Sequence, residues 1–473
     1  MKLHFISDEK PDNERPKLGL GYLASYLKKY APKTNLSISF EGDDYLADIE
    51  RIKPDIIGFS AMTPTFNNQI EKAKKIKKIT SAPLIIGGNH ISLVPQDLPT
   101  WFEAGIVSEG EEVLRRVVEN YGKTGRVRDK KIPALVWREK EKLIITGEAL
   151  LVEPIDNIPF PDWDFLKVGK SGPGHIITSR GCPFRCRFCE AGKFWKKYRS
   201  HSAAYVVSEI EEIYRRYGRD ELVIMDDLFF LDKERIKEIG ERLESRGLTK
   251  KMRFEVIGRA DLFNEEIAGL LKKMSVFAIS FGMESGSEKI LQYLKRQTVT
   301  LEQIRKAVAV CKKYNLQVLG GFMVGSPEET VSDIEETIDF IKELDLDQVG
   351  INVTTPLPGT ELWEKAKEKG LVKNETWDER LWAMKDVTAE NINKKLLLTD
   401  IPRPVFLKLL NKLNSLEDWT HRRRRNEQLF RLFIGKPNPV NFSKFILHSL
   451  KRPAEAWYNL RKGKLLKWLK SPR

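Results

Sequence analysis

At 473 residues the chain is too long for one core and divides into roughly three units, and its 41% hydrophobic content with interspersed charge is that of an ordinary globular protein. Its start, residues 1–8, turns polar too early for a signal peptide, no long uncharged apolar run can span a bilayer, and four cysteines, three of them close together, argue for a reducing compartment, so a cytoplasmic protein is expected. The net charge of +14 is uneven: residues 401–473 hold 18 Lys and Arg against 4 Asp and Glu, so the tail carries the whole excess.

Short β-rich apolar runs at 3–6, 36–40, 55–61, 84–86 and 106–107 alternate with stretches at helical spacing, 18–30, 45–51, 67–78 and 111–121. Five strands with crossover helices predict a doubly wound parallel sheet over residues 1–125. Such sheets bind ligands at the C-terminal ends of their strands. The sequence places Ser60, Met62 and Thr63 there, then Gly87, Gly88, Asn89 and His90, then Ser108, Glu109, Gly110 and Glu111. Glycines in such loops let backbone amides approach a ligand closely. Residues 126–170 read as a linker. Within it two apolar runs, 134–137 and 143–145, flank a charged 138–142 as in a surface hairpin, and the Pro-rich 158–163 is extended.

An apolar run at 175–179 leads into Gly181-Cys182-Pro183-Phe184-Arg185-Cys186-Arg187-Phe188-Cys189. One loop can wrap these three sulfurs around a single small centre. Thiolates select zinc, copper(I) or iron–sulfur clusters; a structural zinc site closes four ligands, and no fourth Cys or His completes this group locally. Three thiolates leave one position open, as a 4Fe-4S cluster with one free iron does. A disulfide or half-formed zinc knuckle is the plainer alternative. Cys311, in an apolar helical stretch, reads as a buried residue. Strands at 222–225, 253–257, 277–281, 318–323 and 350–354, with helical stretches such as 204–217 and 301–314 between them, predict a partial (β/α)6 barrel over 171–376, whose chemistry lies where strands end. Those ends carry Asp226-Asp227, then Arg259, then Glu284 within Gly282–Gly286, then Gly325–Thr330 and Thr355–Thr360. Singly, each is as well read as a cap or turn.

The pattern Cys182-x3-Cys186-x2-Cys189, with Phe188 before the last cysteine, resembles the signature of the radical S-adenosylmethionine (SAM) enzymes. The resemblance implies that the three cysteines hold a 4Fe-4S cluster whose open iron chelates the amino and carboxylate groups of SAM. One electron, from a reductant such as flavodoxin or ferredoxin, then cleaves SAM to a 5'-deoxyadenosyl radical that abstracts hydrogen from substrate. It further implies that Asp226 and Asp227 lie near the methionine end of SAM, that Arg259 meets its carboxylate and Glu284 its ribose or ammonium, that Gly325 passes its adenosine, and that Phe188 packs on the adenine edge. The first domain is similar to the cobalamin (B12)-binding domain that precedes many radical SAM cores, on the match of Gly87-Gly88-x-His90 and Glu109-Gly110-Glu111 to its loops. Ser60, Thr63, Gly87, Gly88, His90, Glu109 and Gly110 are therefore expected around cobalamin. The first loop, 7–15, has no Asp-x-His-x-x-Gly, the motif whose histidine ligates cobalt in other B12 domains, and a domain that kept the fold and lost the cofactor is the alternative.

Residues 377–473 read as a helical, basic extension, with helical patterns at 405–416, 426–433 and 442–450, the run Arg422–Arg425, and an end at 457–470 that interleaves Trp, Tyr and Leu with Lys and Arg. That is the composition of a helix lying in a membrane interface, where each basic residue adds about 1 kcal/mol on an anionic leaflet. A helix packed on the barrel is the bland alternative. The expectation is an α/β, B12-type radical SAM methyltransferase acting on an unactivated carbon of a lipid or isoprenoid substrate, peripheral at the inner face of the membrane. Ring closure, coupling or rearrangement without catalytic cobalamin is the alternative within the class. A tRNA-modifying enzyme is disfavoured, because the radical SAM methylthiotransferases carry extra N-terminal cysteines and an RNA module that this sequence does not display. A cluster-bearing electron-transfer protein is disfavoured by the open iron and the polar strand ends.

Overall fold

The structure is a computed structural model that describes residues 1–8, 17–168, 173–372 and 387–435, with side chains up to Arg424 in the last helix. Strands β1 (Lys2–Ile6), β2 (Asn35–Ser39), β3 (Ile56–Ser60), β4 (Leu84–Gly87) and β5 (Ala104–Ile106) are parallel in the order β2-β1-β3-β4-β5, with helices α1 (Leu18–Tyr30), α2 (Tyr45–Ile52), α3 (Phe66–Ile76), α4 (Asn89–Leu93) and α5 (Glu111–Thr124) between and after them. Both faces are covered, which is why these strands read as unbroken apolar runs rather than alternating ones. Leu3 and Phe5 pack on one face with Leu20, Leu27, Val113 and Val117, and Ile6, Ile57 and Phe59 on the other with Phe66, Ala73 and Ile76.

The hairpin expected at the surface of the linker belongs to this sheet. Strands β6 (Leu135–Glu139) and β7 (Lys142–Ile145) add antiparallel to β5, making seven strands, and Leu135, Val136 and Trp137 are buried. A run of three buried residues matches neither a surface hairpin nor strict alternation, and it misled the reading. The chain then returns along α1, where Asp162 N donates to Gly21 O at 3.1 Å.

Six parallel strands follow in the order β15-β14-β13-β12-β11-β8: β8 (Gly174–Ile176), β11 (Glu221–Ile224), β12 (Arg253–Gly258), β13 (Val276–Glu284), β14 (Gln317–Val324) and β15 (Gln348–Val353). A two-stranded ribbon of β9 (Ser179–Arg180) and β10 (Arg199–Ser200) brackets the cysteine loop and the short α6 (Ala191–Phe194). Helices α7 (Ala203–Tyr217), α8 (Lys233–Ser245), α9 (Glu265–Lys273), α10 (Glu288–Lys295), α11 (Leu301–Lys313) and α12 (Val331–Leu344) cover the outside, and α13 (Glu361–Glu368) follows β15. Their starts are written in the sequence: Thr300 with Gln303, and Thr330 with Asp333, form capping boxes, and Ser202 and Thr360 cap α7 and α13. Strand alternation separates two faces: in β14, Val318, Phe322 and Val324 enter the outer core, while Leu319, Gly321 and Met323 face inward and stay partly exposed. Edge strands β8 and β15 do not pair with each other, so the barrel is partial.

The last helix, α14 (Arg403–Gly435), is one element rather than the two expected. Phe406, Leu409, Leu410 and Leu413 enter the barrel core, and Thr420 Oγ1 accepts from Val349 N on edge strand β15 at 3.0 Å. Arg423 donates to Asp345 Oδ1 at 2.9 Å and to Leu346 O, and Arg424 reaches Glu255 Oε2 at 3.2 Å and Gln348. This part of the arginine run therefore binds the barrel, as the packed-helix alternative has it, and does not face a membrane. The expected helix at 442–450 and the aromatic, basic end at 457–470 lie outside the described residues. Among the described residues, no helix is long and apolar enough to cross a membrane.

Candidate functional site

The cysteine loop is braced from below. After β8, Thr178 N and Oγ1 and Ser179 Oγ all donate to the Asp226 carboxylate, each at 2.6 Å, and Arg235 Nη2 donates to Thr178 O at 2.7 Å. Asp226 is 1% exposed with both oxygens engaged, so of the two adjacent carboxylates it is the structural one. Burial pushes its pKa up, opposed by Arg235 and these hydrogen bonds. Gly181 turns the chain into the loop at φ +91°, where a Cβ would stand 2.6 Å from Lys197 O.

Cys182, Cys186 and Cys189 are free and partly exposed, and Cys189 N closes a turn onto Cys186 O at 3.2 Å. Backbone N–H groups of Phe184 and Ala191 point at the sulfurs of Cys182 and Cys189. Burial raises both thiols, Cys189 to about 12. No three His, Cys, Asp or Glu side chains among the described residues converge as ligands of one metal ion would. Three thiolates with no fourth Cys or His beside them among the described residues suit a 4Fe-4S cluster with one open iron, each thiolate on a different iron, better than a structural zinc site, which closes four ligands. Cys311 is buried in α11 and takes no part.

The barrel ends close over this loop. Asp227, unlike Asp226, is exposed to solvent; partial burial of its carboxyl first and the Asp226 charge second push its pKa up to about 6. Arg259, expected to meet the SAM carboxylate, has its fork on Asp261, with Nε to Oδ1 at 3.0 Å and Nη2 to Oδ2 at 3.1 Å. Nη2 also donates to Thr298 Oγ1 at 2.9 Å, Nη1 to Cys186 Sγ at 3.5 Å, and the guanidinium stacks 3.6 Å from the Phe184 ring centroid. Glu284 is paired at 2.8 Å with Lys295, a buried cation at the end of α10 that the sequence reading missed because a Lys ending an amphipathic helix ordinarily points to water. Lys295 Nζ lies 5.6 Å from the centroid of Phe188, whose ring packs into an apolar cluster with Leu294, Leu362 and Leu398. Gly325, at φ +85°, makes room for α14: a Cβ there would meet the Phe406 ring at 3.0 Å. Glu329 Oε2 accepts from Gly325 N and from Ser326 N at 2.9 Å, and burial pushes its pKa up to about 7.

In the first domain the expected corrin residues divide. Gly87 and Ser60 stand at paired positions ending β4 and β3, both partly exposed at the ligand edge of the sheet. Gly88, at φ +103°, lies so close to the β3 loop that a Cβ would be 2.4 Å from Ala61 O. His90 and Thr63 face inward, a correction to their expected contact with a cofactor. The imidazole stacks on Phe66 with centroids 3.9 Å apart, lies 3.2 Å from Thr63 Oγ1 and 3.4 Å from Asp97, and burial lowers its pKa. Glu109 is likewise no open ligand contact. It accepts from Arg180 Nη1 at 2.8 Å and pairs with Arg199, while Glu111 accepts from Arg180 Nη2 at 2.7 Å, all four side chains being buried. Gly110 precedes α5 against Leu23.

These contacts join the two units where their strand ends meet. Arg180 and Arg199 belong to the ribbon flanking the cysteine loop, so the β5–α5 loop of the first sheet is ion-paired to the base of that loop. Asn89, beside the Gly87-Gly88 turn, donates to Glu190 Oε1, next to Cys189, at 2.7 Å. Trp363 of α13 enters the core of the first domain. The ligand-edge loops of the first sheet are therefore in direct contact with the ribbon and the loop that carry the cysteines.

The model of the Radical SAM superfamily matches residues 176–341, and that of the B12 binding domain residues 9–118. An uncharacterized methyltransferase of Pyrococcus horikoshii is 32% identical over 400 residues, 80% of this chain and 86% of its own length. The cytidylyl-2-hydroxyethylphosphonate methyltransferase of Streptomyces wedmorensis is 26% identical over 76% of this chain and 79% of its own. The solved structure of the cobalamin-dependent S-adenosylmethionine radical enzyme OxsB, with aqua-cobalamin and S-adenosylmethionine bound, shares the fold, with a TM-score of 0.72 at 18% identity over 94% of this chain and 70% of that one.

Proposed function

The chain belongs to the radical SAM enzymes that carry a B12-binding domain, and on that premise we propose that it methylates an unactivated carbon of a hydrophobic small molecule, a lipid or isoprenoid. Cofactors of this family are a 4Fe-4S cluster, SAM and cobalamin; when bound, they supply one electron, a hydrogen-abstracting radical and the methyl group. The observation that supports methyl transfer is the junction of the two strand-end edges, Asn89 with Glu190 and Glu109 with Arg180 and Arg199, which holds the glycine-rich loops of the first sheet against the cysteine loop. Methyl delivery and hydrogen abstraction have to reach the same carbon, and adjoining loops are the geometry they require.

In this reading Cys182, Cys186 and Cys189 hold the cluster. Lys295 and Glu284, a buried opposite pair beside Phe188, present the charges that suit the zwitterionic end of SAM, with Asp227 behind the loop. Ser60, Gly87 and Gly88 form the corrin edge. The inward face of the barrel supports an apolar substrate: Ile257, Leu319 and Met323 are partly exposed there, and Met225, 41% exposed, stands at the mouth. Arg423 and Arg424 being bound to the barrel, attachment to an anionic membrane surface is supported by the composition of residues 436–473 alone. The electron would come from a flavodoxin- or ferredoxin-type donor.

The test is anaerobic turnover of the reconstituted enzyme with SAM deuterated in its methyl group and a lipid extract. Label in an apolar product, with S-adenosylhomocysteine and 5'-deoxyadenosine formed together, supports the reading. Formation of 5'-deoxyadenosine without S-adenosylhomocysteine would replace methylation by ring closure, coupling or rearrangement, and label confined to polar products would remove the lipid assignment.

A further inference from the structure

Arg259 is the one strand-end cation expected to bind SAM, yet its hydrogen-bonding edge is already occupied. The planar fork is locked on Asp261 by two bonds, its outer Nη2 is shared with Thr298, and Thr298 Oγ1 is itself fixed by donating to Lys295 O at 2.6 Å. One face of the guanidinium lies on Phe184, a residue of the cysteine loop. What remains is Nη1, and its partner is Cys186 Sγ at 3.5 Å, within reach for a hydrogen bond to sulfur. The group is 6% exposed, so neither charge nor geometry is dissipated by water. Three separate elements, the 260–262 turn, the segment after α10 and the cysteine loop, thus aim one N–H at one ligand sulfur.

We propose that Arg259 is a positioning residue of the cluster rather than a SAM ligand: it orients the Cys186 thiolate through an N–H···S bond and raises the reduction potential of the cluster that Cys186 helps to hold. Adding an electron to a cluster adds negative charge; with the guanidinium's charge largely offset by Asp261, it is the N–H directed at the ligand sulfur that stabilises the reduced state more than the oxidised one. The inference rests on the cluster reading above, but it assigns Arg259 a different partner from the one its residue type suggests.

The experiment is a spectroelectrochemical titration of the reconstituted, SAM-free protein and its Arg259→Met and Arg259→Lys variants, with iron content and S-adenosylhomocysteine affinity measured on the same samples. We expect Arg259→Met to need a potential more negative by at least a tenfold change in reduced fraction, 59 mV for one electron. Arg259→Lys, which keeps the charge and loses the fixed fork, should fall between, and nucleoside affinity should change less than threefold in both. Wild-type potentials in both variants, or a tenfold loss of nucleoside affinity at unchanged potential, would overturn the assignment and return Arg259 to SAM. If Arg259→Met does not assemble its cluster, Arg259→Lys decides: an unchanged potential refutes the proposal. Failure of the parent protein to hold iron would instead refute the cluster reading.

Discussion

Replacing Arg180 by Met should loosen the junction between the two domains more than any single surface change. Its guanidinium donates to Glu109 and Glu111, lies 5.2 Å from the Tyr22 ring and 5.5 Å from that of Trp195, and is buried with both carboxylates. Removing one partner from a buried ion cluster costs about 3–5 kcal/mol, because the charges left behind stay desolvated. Arg199 still compensates Glu109, which places the loss near the lower end, about 3 kcal/mol. At roughly 2–4 °C per kcal/mol for a unit of this size, the melting transition should fall by about 6–12 °C. Because a chain of several units need not melt in one step, the assay is calorimetry paired with hydrogen exchange, read at residues 105–115 and 178–182. Exchange should accelerate in both segments together, and Glu109→Gln combined with Arg180→Met should show a coupling of about 0.5–3 kcal/mol. A variant that melts within about 2 °C of the parent, with unchanged exchange at both segments, would refute the clamp.

Gly88→Ala places a Cβ 2.4 Å from Ala61 O at a φ of +103°, so it should cost about 3 kcal/mol and reduce the corrin retained after gel filtration; retention equal to the parent's would mean the loop shifts freely. Asp226→Ala removes the acceptor of three hydrogen bonds beneath the cysteine loop and should lower iron content after reconstitution by more than half, while Asp227→Asn keeps it, as an iron assay on both would show. Glu329 gives a pH dependence of defined sign. Its folded pKa of about 7 exceeds the ordinary value of 4.5, so the folded state holds the proton that the unfolded state has lost, and its contribution to stability declines as pH rises from 4.5 to 7 and is flat above. Glu329→Gln should abolish that decline in denaturant midpoints taken across the window, and a parallel curve would contradict the assignment.

The strand-end residues were legible because the order of polar and glycine-rich ends survives in one dimension, and the cysteine spacing names its chemistry directly. What was not legible is which partner each side chain takes. Asp226 and Asp227 point to opposite faces, and only the register of β11 against β8 decides that Asp226 goes under the loop. Glu109 looked like a ligand because its counter-charge, Arg180, lies 71 residues on, although an arginine at the end of an apolar strand was a signal that a buried carboxylate waits elsewhere. His90 stands in a turn that favours ligands, but its neighbours in space, Phe66 and Asp97, enclose it. The arginine run read as part of a membrane-interface composition because nothing in the sequence marks its partners, whereas Asp345 and Glu255 on the barrel pair with two of its residues.

Whether one chain holds both a cluster and cobalamin is decided by anaerobic reconstitution followed by iron and sulfide analysis and a visible spectrum after incubation with hydroxocobalamin and desalting. Four irons per chain are expected, lost when Cys182, Cys186 or Cys189 is replaced by Ala, and one retained corrin whose retention falls in Gly88→Ala. Four irons with no retained corrin would contradict this, leaving the radical chemistry in place and withdrawing the methyl transfer.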